Sequence, residues 1–275
     1  MHTSGWFSLG PEQSPMASIS GRHTLHAVLS LGSSAIRLRY GGGSGVESQT
    51  SRGRTTISSP DKKIEPGKEP TDGTGSAEAF YERVAEYSEC EDAADRERLD
   101  AELWRGYGTR GVVMITDMEG FSRTTRALGI SCFLGMIVQA RRIIEPAVAA
   151  NSGLLLKCEA DNCYAFFRRA EDALQAALDM NAVIAELNRG RRGIGSIELA
   201  IGIDYGRLLL VGEQDFFGDP VNTASKLGED VASGGEILVT NRALEQASSL
   251  PGACSDQLVT RISGIDIQYK QFGAD

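Results

Sequence analysis

Residues 154–167 read LLLKCEADNCYAFF. Two apolar runs, LLLKC and CYAFF, are each short enough for a strand, and the polar residues between them mark a turn, so the stretch reads as a β-hairpin. Glu159 suits a solvated tip. Lys157 and Asp161 are different, because they sit at the ends of strands whose other residues call for burial. Two readings follow: charges that merely solvate an edge, or charges placed for chemistry.

The segments around this hairpin decide the fold. GVVMIT (111–116) is a buried-strand run, and residues 130–150 place Ile130, Phe133, Leu134, Ile137, Val138, Ile144 and Val148 on one helical face. Residues 171–188 form a second helix through Leu174, Ala177, Leu178, Ile184 and Leu187. IELAIGI and RLLLVG read as two strands around a DYG turn, and EILVT and the final stretch as further short strands. GDPVNTASKLGEDVASGG reads as a helix with Asp219 as N-cap and Pro220 in its first turn. The order β-α-β-β-α-β predicts an α+β fold, a ferredoxin-like sandwich with a C-terminal extension and its helices on one face of an antiparallel sheet.

Upstream, residues 76–104 have helical composition, with Phe80, Val84 and Tyr87 on one face, and make a helical lead-in over 76–106. Residues 1–75 are rich in Ser, Gly and Arg and include GGGSG. Such a segment buries too little apolar area to offset its ordering entropy and reads as a disordered tail. Its Ser- and Arg-rich, acid-poor start also fits an organelle transit peptide. The expected domain is therefore 107–275, either cytoplasmic or organellar.

Charge and composition exclude several functions. The chain of 275 residues has a net charge of −9, and the first 60 residues hold five Arg against two acids, so the remainder is more acidic still. Such a surface is a poor general partner for nucleic acid. All three histidines, His2, His23 and His26, lie in the tail, which removes histidine-based triads, bases and zinc sites from the domain. The five cysteines show no CxxC pair or framework spacing and suggest a reducing compartment. No run approaches the length of a membrane helix.

Three stretches carry chemistry. In VVMITDMEGFSRTT an apolar strand ends at Asp117, and Gly120 opens a polar helix. A carboxylate there suits a hard divalent cation, and the helix start with Gly120, Phe121 and Ser122 suits phosphate oxygens. If the 154–167 hairpin lies beside that strand, Asp161 comes close to Asp117, and the two carboxylates can bridge a pair of ions over a phosphate. In DFFGDPVNTASK, Asn222 and Lys226 are four apart on one helix face, and Asp215 stands just ahead of the turn.

Together TDMEGFS, KCEAD and DFFGDPVNTASK resemble the three ordered motifs of class III nucleotidyl cyclase catalytic domains, over about residues 107–272. The resemblance implies that Asp117 and Asp161 bind two Mg²⁺ or Mn²⁺ ions, which activate the 3′-hydroxyl and hold the triphosphate. It implies a head-to-tail homodimer, in which these acids face Lys157, Asp215, Asn222 and Lys226 of the other subunit. Lys157 and Asp215 would read adenine, so the implied reaction converts ATP to 3′,5′-cyclic AMP and pyrophosphate. A guanylyl cyclase and a weakly active nucleotide-binding regulatory module are the alternatives. Three positions depart from the pattern. Lys226 stands in place of the usual arginine, Ala160 in place of a glycine, and Ser263 in place of a triphosphate-binding lysine, for which Arg261 is a candidate stand-in.

Overall fold

Eleven consecutive residues, Gly108–Met118 (β3), form an inner strand of the larger sheet. Val112 to Ile115 are completely buried, because both faces of this strand are covered. The structure, a computed structural model, describes residues 28–31, 34–37, 76–189, 195–262 and 264–273. Within the expected N-terminal tail it describes one antiparallel pair, Val28–Leu31 (β1) with Ser34–Arg37 (β2). The rest of that tail, with its transit-peptide reading, lies outside the described residues.

After β3 come Phe121–Leu128 (α3) and Ile130–Ala150 (α4), then the hairpin Leu154–Glu159 (β4) and Asn162–Phe167 (β5). Ala170–Asn188 (α5), Leu199–Val211 (β6), Asp215–Phe217 (β7) and Asp219–Lys226 (α6) follow. The chain then runs through a π-helical turn, Leu227–Val231, into Ile237–Thr240 (β8), Asn241–Leu244 (α7), Leu258–Ile262 (β9) and Ile265–Phe272 (β10). The sheet order is β4-β5-β3-β6-β8-β10-β9, with β7 folded back on β6. All pairings are antiparallel except β6 with β8. The order β4-β5-β3-β6 is the ferredoxin-like arrangement expected from sequence, and β8, β10 and β9 are its extension.

One face of the sheet packs α4 and α5 in the main core, around Met114, Phe133, Ile144, Phe167, Leu174, Met180 and Ile201. The other face packs α6 through Val113, Ile115, Phe166, Leu208, Phe216 and Ala224. Gly202 makes that second contact possible. A Cβ there would lie 2.7 Å from the backbone nitrogen of Gly228, so only glycine lets the α6 segment lie this close to β6.

Several expectations change. The DYG residues form no turn: Asp204, Tyr205 and Gly206 pair with Val113, Val112 and Gly111, and β6 is one continuous strand. Asp204 is polar but fully buried, its carboxylate paired with Arg242 and accepting a 2.5 Å bond from the Thr240 hydroxyl. A buried, paired acid had the composition of a turn. The lead-in is two helices, Ala77–Glu89 (α1) and Ala93–Tyr107 (α2), because Asp92 caps the second by accepting from the amides of Ala94 and Asp95. Phe80 is buried against Leu103 and Val211, whereas Val84 and Tyr87 are exposed. On α4, Phe133, Ile137, Ile144 and Val148 face the core, but Ile130, Leu134 and Val138 are exposed. The cap of α6 is Gly218 rather than Asp219, whose carboxylate pairs with Arg242 at 2.7 Å.

The cysteine reading also changes. Cys158 and Cys163 are directly opposite each other across β4 and β5 and form a disulfide, with Cα atoms 4.1 Å apart. The five-residue separation is the span of a tight hairpin, a signal that a search for CxxC spacing passes over.

Candidate active site

Asp117 is the penultimate residue of β3. Alternation along the strand puts its side chain on the α6 face, with Val113 and Ile115. Asp161 reaches the same place from the β4–β5 turn, and both line one cleft with Met118, Glu119, Gly120, Ser122 and Arg123. Burial first, then the negative fields of Asp161 and Glu229, push the Asp117 carboxyl from its ordinary value of 3.8 up to about 6. The backbone amide of Met118 opposes the shift without cancelling it. Among the described residues no third acid, histidine or cysteine joins the pair as a ready-made metal cluster. Two half-buried carboxylates facing each other without a neutralising side chain fit a divalent ion that takes its other oxygens from substrate phosphates and water, the usual environment of Mg²⁺.

The turn that carries Asp161 is held from the helical layer. Ala160 adopts a left-handed conformation with φ of 49°, the conformation a glycine would take without penalty. Its carbonyl accepts a 2.7 Å bond from Nη2 of Arg141 on α4, which also donates to the carbonyl of Cys158 at 3.2 Å. Arg141 is a positioning residue that the sequence did not reveal, since nothing in its spacing on α4 distinguishes it from a solvated arginine.

Lys157 reaches its place through a β-bulge. Leu155 pairs with Ala165 and Lys157 with Tyr164, so Leu156 is the extra residue. The irregularity turns Lys157 onto the α6 face, where its ammonium lies 5.0 Å from the Tyr164 ring centroid. There it meets Asp215 at 3.2 Å and Glu159 at 3.0 Å. Burial opposes its charge, but the Glu159 and Asp215 carboxylates outweigh that and hold its pKa above the ordinary lysine value. Asp215 is fixed in turn by the amide of Phe216, which donates to it at 2.8 Å. Phe217, in the same short strand, stacks on Phe80 at 5.6 Å, so the lead-in helices buttress this pair.

Asn222 and Lys226 are both exposed on α6, as their spacing predicts. Lys226 is engaged by Asp230 at 2.8 Å, which raises its pKa. Gly120 has φ of 94° and starts α3 without a side-chain cap, leaving the first amides of that helix unclaimed by a cap. Ser122 is exposed beside them. Arg261, the candidate stand-in for a phosphate-binding lysine, bonds the carbonyl of Gly264 at 3.3 Å and lies 3.7 Å from Asp266. Ser263 lies outside the described residues.

The chain thus assembles two constellations: Asp117 with Asp161, and Lys157 with Asp215. Solved structures share this fold. The adenylate/guanylate cyclase/hydrolase from Silicibacter pomeroyi is 26% identical, with a TM-score of 0.52 over 61% of this chain and 98% of that one. The adenylyl cyclase CyaB from P. aeruginosa is 19% identical, with a TM-score of 0.51 over 61% of this chain and 96% of that one.

The fold is that of the class III nucleotidyl cyclases.

The guanylyl cyclase Cya2 has the same cyclase fold at 18% identity, with a TM-score of 0.52 over 60% of this chain and 91% of that one. A curated relative from Rhizobium meliloti (strain 1021), named "Putative adenylate cyclase 3", is 26% identical over 129 residues, or 47% of this chain. The match spans 22% of that relative's length. No family model matches the chain. Among the described residues no helix is long and apolar enough to cross a membrane.

Proposed function

We propose that this cyclase domain converts ATP to 3′,5′-cyclic AMP and pyrophosphate. The observation that carries the proposal is the pairing of Lys157 with Asp215 on the same sheet face as the Asp117–Asp161 cleft. Lys157 donates and Asp215 accepts. With the lysine facing N1 and the aspartate facing the exocyclic amine, the pair complements adenine. Asp117 and Asp161 would hold divalent ions, and when bound these supply charge neutralisation of the triphosphate and acidify the attacking 3′-hydroxyl. The open amides at the start of α3 would face phosphate oxygens. Asn222 orients the ribose, and Lys226 offers charge to the transition state once it exchanges Asp230 for phosphate.

The two constellations would work together across a head-to-tail homodimer, the carboxylates of one subunit facing the adenine reader of the other. A second reading, a nucleotide-binding module with very slow turnover, draws support from Lys226. It lacks the guanidinium fork and is already paired with Asp230. The deciding experiment is pyrophosphate and cyclic nucleotide release by the full chain, with ATP against GTP in Mn²⁺ and in Mg²⁺, and with Asp161→Ala as control. Cyclic AMP made faster than cyclic GMP supports the first reading. Tight ATP binding without pyrophosphate release at any metal concentration replaces it with the second.

A further inference from the structure

The cations expected around the nucleotide, whether for base, transition state or phosphate, are engaged within the fold. Lys226 is paired with Asp230, Arg261 is bonded at the β9–β10 turn, and Lys157 is held between Glu159 and Asp215. A triphosphate carries more negative charge than its metal ions neutralise once two aspartates are also present, so the cleft still needs a cation.

Arg123 is placed to be that cation. It lies in the first turn of α3 and lines the cleft together with Asp117 and Asp161. Its Nη2 comes within 3.3 Å of the position that a Cβ on Gly120 would occupy, so the guanidinium lies over the Gly120 turn, beside the uncapped amides. It is exposed, and among the described residues no carboxylate or carbonyl claims it by ion pair or hydrogen bond. Holding a flexible arginine near two carboxylates without pairing to either leaves its fork available to an incoming oxyanion, which it can grip with two parallel N–H···O bonds. The uncapped helix start adds donors to the same oxyanion.

We infer that Arg123 binds the β- and γ-phosphates of the substrate and supplies, from within the motif that carries Asp117, the phosphate-binding cation that Ser263 does not provide. This inference rests on the nucleotide-binding reading of the cleft but not on turnover. Electrostatic contact with a polyphosphate also predicts a salt-dependent contribution.

The test measures binding by calorimetry on the full chain with Mn²⁺, comparing inorganic pyrophosphate, ATP and AMP for the wild type, Arg123→Gln and Arg123→Lys. Arg123→Gln is expected to weaken pyrophosphate and ATP about tenfold, the loss typical of one charge-assisted contact, while AMP changes less than twofold. Arg123→Lys recovers part of the affinity, and the melting temperature stays unchanged because Arg123 supports no fold contact. Equal weakening of AMP and ATP, or unchanged pyrophosphate affinity in Arg123→Gln, overturns the inference. If the wild type binds pyrophosphate through Arg123 yet forms no cyclic nucleotide, the inference stands and the proposed reaction falls. If Arg123→Gln lowers the melting temperature as well as all three affinities, the residue is structural and the inference is wrong.

Discussion

Ala160 offers a sharp test of how the hairpin that carries Asp161 is built. Its φ of 49° puts an L-residue in the left-handed region, which costs about 1–2 kcal/mol. Ala160→Gly removes that strain but gives the unfolded chain extra freedom, worth about 0.4–1 kcal/mol in the opposite direction. The net expectation is a gain of about 0.5–1 kcal/mol, or about 2 °C in melting temperature for a domain of this size. Arg141 still grips the carbonyl of residue 160 in the variant, so the turn keeps its shape. Ser152, with φ of 59° at the end of α4, is the internal control: Ser152→Gly should give a similar gain with unchanged turnover. The assay is paired thermal unfolding of both variants and the wild type in EDTA, followed by cyclase rates in Mn²⁺. A lower melting temperature for Ala160→Gly alongside a higher one for Ser152→Gly would refute the strained-turn account.

Three other expectations follow from the same contacts. The folded-state pKa of Asp117 lies above its unfolded value, so its contribution is fully present below about pH 4 and is lost as pH rises through about 6. The shift corresponds to about 3 kcal/mol, which solvent at this half-buried site reduces to about 1–2 kcal/mol. Urea unfolding in EDTA should therefore find Asp117→Asn more stable than the wild type at pH 7.5, with the difference vanishing toward pH 4; a less stable variant at pH 7.5 contradicts it. Arg242 bridges the buried Asp204 on β6 and Asp219 at the start of α6, so Arg242→Met strands a buried charge and should cost about 2–4 kcal/mol. Combining it with Asp204→Asn should recover part of that loss, whereas strict additivity in the double-mutant cycle would show that the two side chains do not couple. Reducing the Cys158–Cys163 bridge opens a loop of about six residues and should lower stability by about 2 kcal/mol, and a Cys158→Ser/Cys163→Ser variant insensitive to dithiothreitol checks the assignment.

The ferredoxin-like core was legible because its strands and helices are long and their apolar residues periodic. The proximity of Asp117 and Asp161 was legible because pairing the 154–167 hairpin beside the buried strand brings its turn to the end of that strand. Asp204 misled for a related reason: its partner Arg242 is 38 residues away, and without that partner a polar residue next to Gly206 imitates a turn. Ile130, Leu134 and Val138 share the helical spacing of the core residues of α4, and spacing alone does not say which side of an apolar helix meets the sheet. The grip of Arg141 on the hairpin is a bond to backbone carbonyls, which leaves no residue-type signature at its acceptors. The cross-strand disulfide needed the register of β4 and β5, set by the bulge at Leu156, before its two cysteines could be seen as neighbours.

That bulge also determines which kind of sequence change the site tolerates. Because Leu156 is the surplus residue in β4, the address of Lys157 depends on the bulge rather than on which apolar residue fills position 156. Replacing Leu156 with another apolar side chain leaves the lysine beside Asp215. Deleting Leu156 gives a regular ladder with Lys157 still opposite Tyr164 on the α6 face, whereas closing the bulge at constant length puts Lys157 opposite Cys163 and turns the ammonium toward the packed layer of α4 and α5. A substitution that straightens β4 at constant length therefore moves Lys157 away from Asp215 even when every residue around the cleft is kept.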